Sequence, residues 1–181
     1  EFPDGTEQFT ASSGSGGGGE AQPPVAFRAE LSANQTMEKG KRTKINLDGA
    51  SIDTNSSFKE GGFQPSVAGY YQITGSVTQA TNPGPSTRTV ASLANNDGEI
   101  ITMGANTHTT GVAYCSSVTD IIYMNGTTDK IDLHAYILTT DANATVSGSK
   151  SSTFLSAVLV SGGSSDKVVN LSANRNLVIN G

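Results

Sequence analysis

Apolar and polar residues alternate with a period of two over most of the chain. In the stretch 69–80, Tyr71, Ile73 and Val77 fall on one side of an extended backbone, which is the pattern of a strand with one buried face. Over 131–137 every second residue is again apolar, with Asp, His and Tyr between. No stretch keeps a helical period for three turns, so the pattern predicts an all-β sandwich with almost no helix.

Clusters of Gly, Asn, Asp and Pro divide this pattern into short strands. Such clusters occur at 82–85, 95–98, 125–126 and 141–143. The strands predicted between them are 25–31, 44–48, 69–80, 87–94, 99–103, 111–123, 130–139 and 154–160.

The composition changes at both ends of this region, which predicts three parts. Residues 1–24 are rich in Gly and Ser and end in Pro-Pro, as expected of a flexible arm or linker. Residues 25–161 hold the alternating strands and form one domain of ordinary size. Residues 162–181 contain two further apolar runs, and we expect either an extra strand pair or an arm that crosses to a neighbour.

The charge and composition of the chain argue against two classes of binding partner, nucleic acids and membranes. The net charge is −5, with 15% charged and 35% hydrophobic residues, which argues against nucleic acid because phosphate binding requires clustered Lys and Arg. One basic run, 39–44, favours a solvated loop edge over a binding patch. No run approaches the roughly 20 apolar residues of a membrane helix, so membrane insertion is not expected.

The chain has a single cysteine, Cys115, so an internal disulfide is excluded. Its apolar surroundings in the predicted strand 111–123 predict a small buried hydrophobic residue. A domain without disulfides has to be held by its core or by oligomerisation.

The spacing Phe-x-x-Ser-x-x-Gly-x-Tyr-x-Ile, which begins at Phe63 and includes Gly69, Tyr71 and Ile73, resembles the central signature of the complement C1q globular head. Phe27 in the first strand and Phe154 in the last resemble the strands that open and close that domain. The resemblance covers about 25–161 and implies a homotrimeric jelly roll related to the tumour necrosis factors. The chain departs from the family at Ile73, where an aromatic residue is usual, and it lacks a collagen-like stalk.

The family's trimers pack one sheet of each jelly roll around a three-fold axis. The resemblance therefore implies an interface that includes Tyr136 and His134, on the side of strand 130–139 that points away from the core; the alternative is that both face solvent. Some family members bind calcium through carboxylates in loops, which makes Asp97, Glu99 and Asp120 weak candidates, although no EF-hand spacing is present.

No catalytic motif is present: the sequence lacks Gly-x-Ser-x-Gly, Cys-x-x-Cys and His-x-x-x-His. We therefore expect a non-enzymatic protein with no cofactor. The leading hypothesis is a trimeric structural protein of a bacteriophage virion, either at a fibre tip or as a head decoration. Its N-terminal arm would contact another virion protein, and its loops a host glycan or receptor. The alternatives are a secreted or cell-surface adhesin or lectin of a bacterium or invertebrate, and a hydrolase built on a jelly roll.

Overall fold

The computed structural model describes residues 24–80, 87–108, 114–141 and 143–162. Every regular element in those ranges is a strand, as the alternating pattern predicts. The strands are β1 (Ala26–Glu30), β2 (Gln35–Glu38), β3 (Thr43–Lys44), β4 (Gly49–Asp53), β5 (Phe58–Lys59), β6 (Gly62–Phe63), β7 (Gly69–Thr78), β8 (Thr87–Ala94), β9 (Ile100–His108), β10 (Cys115–Met124), β11 (Asp132–Leu138), β12 (Asn143–Val146) and β13 (Phe154–Gly162).

Two antiparallel sheets pack face to face as a β-sandwich. The five-stranded sheet has the order β10-β7-β13-β1-β4, and the four-stranded sheet has the order β3-β11-β8-β9. Neighbouring strands come from distant parts of the chain. For example, the last of the described strands, β13, lies between β1 and β7. Two small pairs, β12-β2 and β5-β6, complete the described part.

Alternate residues of both sheets fill the space between them. Tyr71 and Ile73 from β7 meet Leu133 from β11 in this core, and all three are fully buried. The ring of Phe63 lies 4.8 Å from that of Phe27 and 5.2 Å from that of Tyr71. The buried Tyr71 hydroxyl donates a hydrogen bond to the Val67 carbonyl at 2.8 Å, so its polar tip has a partner.

The start of β1 and the end of β13 lie at the same end of the sandwich. Ala26 pairs with Val158, and the Leu159 N–H donates to the Val25 carbonyl at 3.0 Å. We call this end the proximal pole; it comprises 24–25, 54–68, 125–131 and 159–162. The opposite end, the distal pole, comprises 32–34, 39–42, 78–80, 138–141 and 147–153.

Several strand boundaries differ from the prediction. The predicted strand 44–48 is replaced by the short β3 and by β4, which starts one residue after it. β9 extends five residues beyond the predicted 103. β12 begins at Asn143, inside a predicted turn, because it pairs with β2 in a contact between distant segments. Local turn signals carry no information about such a pairing.

The prediction that Cys115 is buried is wrong. Cys115 starts β10 and is exposed, because its side chain points away from the core while those of Ser116 and Val118 point inwards. Val118, an apolar neighbour in the sequence, therefore belongs to the opposite face of the strand.

The predicted N-terminal arm, apart from its last residue, and the C-terminal extension beyond Gly162 lie outside the described residues. In the part of the chain that is described, no helix has the length and apolar character that crossing a membrane takes.

Candidate functional site

The five-stranded sheet has a broad outward face. On it, residues that are paired across neighbouring strands form rows, one of which includes residues from four strands and the next from five. We call these two rows the flat face; it consists of Ile121, Gln72, Val158 and Ala26 in the first row and Thr119, Thr74, Ser156, Arg28 and Ile52 in the second.

Large apolar side chains on the flat face are exposed. Ile121 is 60% exposed, Val158 47% and Ile52 46%. Between them lie small polar side chains, among which the hydroxyls of Thr74 and Thr119 are 2.9 Å apart. Several exposed large apolar residues on one face of a sheet are typical of a surface that another protein covers.

The one charged residue of the flat face, Arg28, is neutralised within the chain. Its Nε lies 3.2 Å from the carboxylate of Glu30, which is 5% exposed. Its guanidinium carbon stands 3.8 Å above the ring centre of Phe154, and Nη2 donates to the Lys150 carbonyl at 2.9 Å. The flat face therefore offers no unpaired charge that would oppose an apolar partner.

Phe154, singled out for its resemblance to the family's last strand, thus lies on the outward side of β13 under Arg28. The other residues of that resemblance are placed differently. Phe27, Phe63, Tyr71 and Ile73 are in the core. Gly69 is pressed against β13, where a Cβ would lie 2.5 Å from the Ser161 carbonyl oxygen.

A cleft of about 220 Å³ opens beside the flat face, near the proximal pole. It lies at the sandwich edge where β9 meets β10, and its apolar lining includes Ile101, Ile122 and Tyr123. Ile101 is 43% exposed, and Met103, further along β9, is 50% exposed. Polar side chains, those of Asn95, Asn96, Asp129 and Lys130, complete the lining. This edge cleft is thus a partly apolar feature next to the flat face.

Tyr136 and His134 lie two residues apart on β11, on the outward side of the four-stranded sheet. Both are half-buried. His134 is paired with Lys44 on β3. Burial lowers the pKa of His134 below its ordinary value, and the charges of Lys44 and Arg42 lower it further while Asp132 opposes them. That these two residues form a trimer interface remains a prediction.

The structure does not bring the three calcium candidates together. Asp97 and Glu99 lie in the turn between β8 and β9, where the Asn95 side-chain oxygen accepts both of their backbone N–H groups. Asp120 lies within β10, opposite Ile73. Among the described residues, no group of three or more His, Cys, Asp or Glu side chains is arranged to hold a metal ion.

The residues of the flat face and the edge cleft were not singled out from the sequence. One signal was present: Ile121, Ile122 and Tyr123 form a continuous apolar run, as do residues 157–160. A strand that is apolar on both sides is typical of a sheet covered on both faces.

The two sheets and their strand order define the class of protein: the chain has the jelly-roll fold of the C1q and tumour necrosis factor domains. No protein-family model matches the chain, and no curated protein sequence matches it.

Solved structures that the chain resembles include Eiger TNF from S. frugiperda, with a TM-score of 0.57, 9% identity, and coverage of 79% of this chain and 96% of that one. The globular domain of zebrafish complement 1qA protein has a TM-score of 0.54 and 14% identity, covering 77% of this chain and 98% of that one. Murine APRIL at pH 5.0 has a TM-score of 0.57 and 13% identity, covering 76% and 99%. At sequence identities this low, the structural similarity shows the fold of the chain and nothing about its role.

Proposed function

We propose that this protein is a non-enzymatic homotrimer that serves as a structural protein of a bacteriophage virion, at a fibre tip or on the head, and takes part in attachment to a host surface. The observation that carries the proposal is the flat face on a C1q/TNF-like jelly roll. Exposed Ile121, Val158 and Ile52, with Arg28 neutralised between them, form a surface suited to burial against a second copy.

A ring of three copies requires two complementary surfaces on each chain, because its contacts run head to tail. We assign these two surfaces to the flat face and the edge cleft, since they are adjacent and each carries exposed apolar side chains. Such a ring also covers the edge strands β9 and β10, which would otherwise offer unpaired backbone groups to other chains.

Light scattering on the full chain tests the trimer. We expect the wild type to have three times the mass of one chain, and the double variant Ile121→Asp/Val158→Asp to have the mass of one. Leu138→Asp is the matched control, because Leu138 is also 44% exposed but lies on the other sheet. It should remain trimeric.

The same series tests the earlier prediction for β11. If Tyr136 lies at the three-fold axis, Tyr136→Arg will dissociate the trimer and the double variant will not. A wild type that is monomeric at micromolar concentration would overturn the trimer for both faces.

Support for the virion role comes from the sequence. A Gly-rich segment precedes the head, the sequence is rich in Ser, Thr and Asn, and no internal disulfide is available. These features suit a head tethered to a larger particle. The alternative, a secreted or cell-surface adhesin, shares the fold and the trimer but would not be part of a particle.

An antibody raised against the head separates these two roles when it is applied to fractions of the source culture. We expect the protein to sediment with phage particles in a density gradient. Recovery from the medium or the cell envelope, with none in the particle fraction, would reject the virion role and favour the adhesin.

A further inference from the structure

The basic run of residues 39–42 folds against the end of β11 at the distal pole. The Gly40 N–H donates to the Ile137 carbonyl at 2.8 Å, and Gly40 adopts φ = 69° to make this turn. Leu138, the next residue of β11, pairs with Arg88 on β8. The fold therefore places Arg88 and residues 39–42 on opposite sides of the end of β11, although they are 46 or more residues apart in sequence.

Three of the cations gathered here have no carboxylate partner among the residues that the structure describes. Lys41 forms an exposed ion pair with Glu38 at 3.3 Å, and Lys44 pairs with Asp132 at 2.9 Å. Within the described ranges, no ion pair joins Lys39, Arg42 or Arg88 to an acid. Their positive charge is thus available to a ligand, although the chain as a whole carries −5.

The cations border a shallow strip of the sheet rather than a deep pocket. His134, Tyr136 and Leu138 follow one another on the outward side of β11, and this strip is about 13 Å long at about 3.3 Å per residue. Arg42 lies close enough to His134 for its charge to act on the imidazole. Tyr136 supplies a half-buried ring in the middle of the strip.

We propose that this surface, formed by Lys39, Arg42, Arg88, His134, Tyr136 and Leu138, binds a linear acidic polysaccharide. The flanking cations attract its carboxylate or sulfate groups, and the Tyr136 ring offers an apolar surface on which a sugar ring packs. This inference rests on the proposed role in surface recognition, for which it names the class of ligand. It requires that the trimer interface lies on the five-stranded sheet and leaves Tyr136 and His134 uncovered.

The shape and charge of the surface favour a polysaccharide over other polyanions. A nucleic acid carries one phosphate charge per about 1.7 Å of duplex, so its binding takes many clustered cations. Here only three cations lack an acidic partner within the described residues, and the chain as a whole carries −5. A membrane surface requires a cluster of roughly four to eight basic residues next to an apolar helix or anchor. A short strip with one aromatic ring between sparse cations suits a polymer with one charge every sugar or two.

Binding of the full chain to polygalacturonate and to dextran sulfate tests the inference, with neutral dextran as the blank. We expect binding that weakens between 50 and 300 mM salt, because exposed charges are screened over about 8 Å at physiological ionic strength. Arg42→Gln/Arg88→Gln should bind about tenfold more weakly. Tyr136→Ser should also bind more weakly, but with an unchanged dependence on salt.

The matched control is Lys59→Gln/Lys150→Gln, which removes the same charge from exposed lysines outside the strip. It should bind as the wild type does. Equal losses in both double variants, or no binding by the wild type, would overturn the proposal. So would equal or stronger binding of poly(dT) or of phosphatidylglycerol vesicles, or dissociation of the trimer by Tyr136→Ser. Light scattering on the same samples separates failure of this surface from failure of the trimer.

Discussion

The pKa of His134 depends on the burial of its side chain and on the charges around it. His134 lies half-buried on β11 between Lys44 on the neighbouring strand and Asp132 two residues away. Burial is the main cause that holds the imidazole neutral, and the positive charges of Lys44 and Arg42 act in the same direction. Asp132 acts against them but is itself engaged by Lys44 at 2.9 Å.

The lowered pKa of His134 predicts a loss of stability in mild acid. In the unfolded chain the imidazole regains its ordinary pKa of 6.5, so below that pH the unfolded state binds the proton more readily than the folded state. Stability present above pH 6.5 is therefore lost as the pH falls through the lower folded-state pKa. We expect the melting temperature of the wild type to fall more between pH 7 and pH 5 than that of His134→Gln.

Both proteins share every other titrating group, so the difference between the two curves isolates His134. The comparison is made at one protein concentration, because assembly also shifts the melting temperature. Parallel curves would show that the folded imidazole titrates as it does in the unfolded chain.

At the scale of the strand, the alternating pattern predicted most of β1, β7, β8, β11 and β13, because each of these turns one apolar side towards the core. It did not predict β2 and β12, whose pairing joins segments about 100 residues apart. It also gave no register between strands. For that reason the flat face, and the position of Arg88 beside Leu138, became visible only in the folded chain.

One glycine sets the distance between the two edge strands of the sandwich. A Cβ on Gly104 in β9 would lie 1.9 Å from the Ser117 carbonyl oxygen in β10. The Ser116 hydroxyl donates to the Gly104 carbonyl at 2.8 Å, which ties the strands together at this point. The obstructing atom belongs to the backbone, so the contact cannot be relieved by a side-chain rotation.

Gly104→Ala should therefore lower the free energy of unfolding by about 3 kcal/mol, since β9 and β10 have to separate. Gly49→Ala is the matched control: it too is a strand glycine, and nothing lies within 4 Å of its added Cβ. It should change stability by less than about 1 kcal/mol. Denaturant unfolding at fixed protein concentration measures both, and equal effects would contradict the close approach.

At the scale of the whole molecule, the outward sides of the two sheets differ in the residues that they expose. The five-stranded sheet carries exposed apolar residues and an internally paired Arg28. The four-stranded sheet carries the cations near Leu138 and Arg88. In the proposed trimer the chain associates through the flat face and the edge cleft, and the strip on β11 remains open to a ligand.

The reactivity of Cys115 can be used to test whether the outward side of the five-stranded sheet is covered in the assembled protein. Cys115 projects from β10 on the same side as the flat face, next to Thr78 on β7. Burial raises the pKa of its thiol, but hydrogen bonds from Ser76, Thr78 and Ser117 outweigh that effect, so the pKa is below its ordinary value. When Cys115 is accessible to solvent, a larger fraction of its thiol is therefore in the reactive thiolate form.

We expect iodoacetamide to modify Cys115 at least fivefold more slowly in the trimer than in the monomeric variant Ile121→Asp/Val158→Asp, because association covers this side of the sheet. Mass spectrometry follows the reaction over time, and unfolded protein gives the rate for a free thiol. Equal rates in both assembly states would mean that the covered surface does not reach the start of β10.

Val25 and Leu159 are hydrogen-bonded neighbours, so the first and last described strands can be joined by a short linker. The chain can then start and end elsewhere while the strands pair as before. A linker of about six glycines and serines is long enough to join Gly162 to Pro24. New ends could then be opened at the exposed Lys150–Ser151 bond at the distal pole. Such a circular permutant would keep every pairing of the two sheets, yet a tether fused to it would leave from the opposite end. The head would then be mounted upside down, with its proximal turns presented outwards.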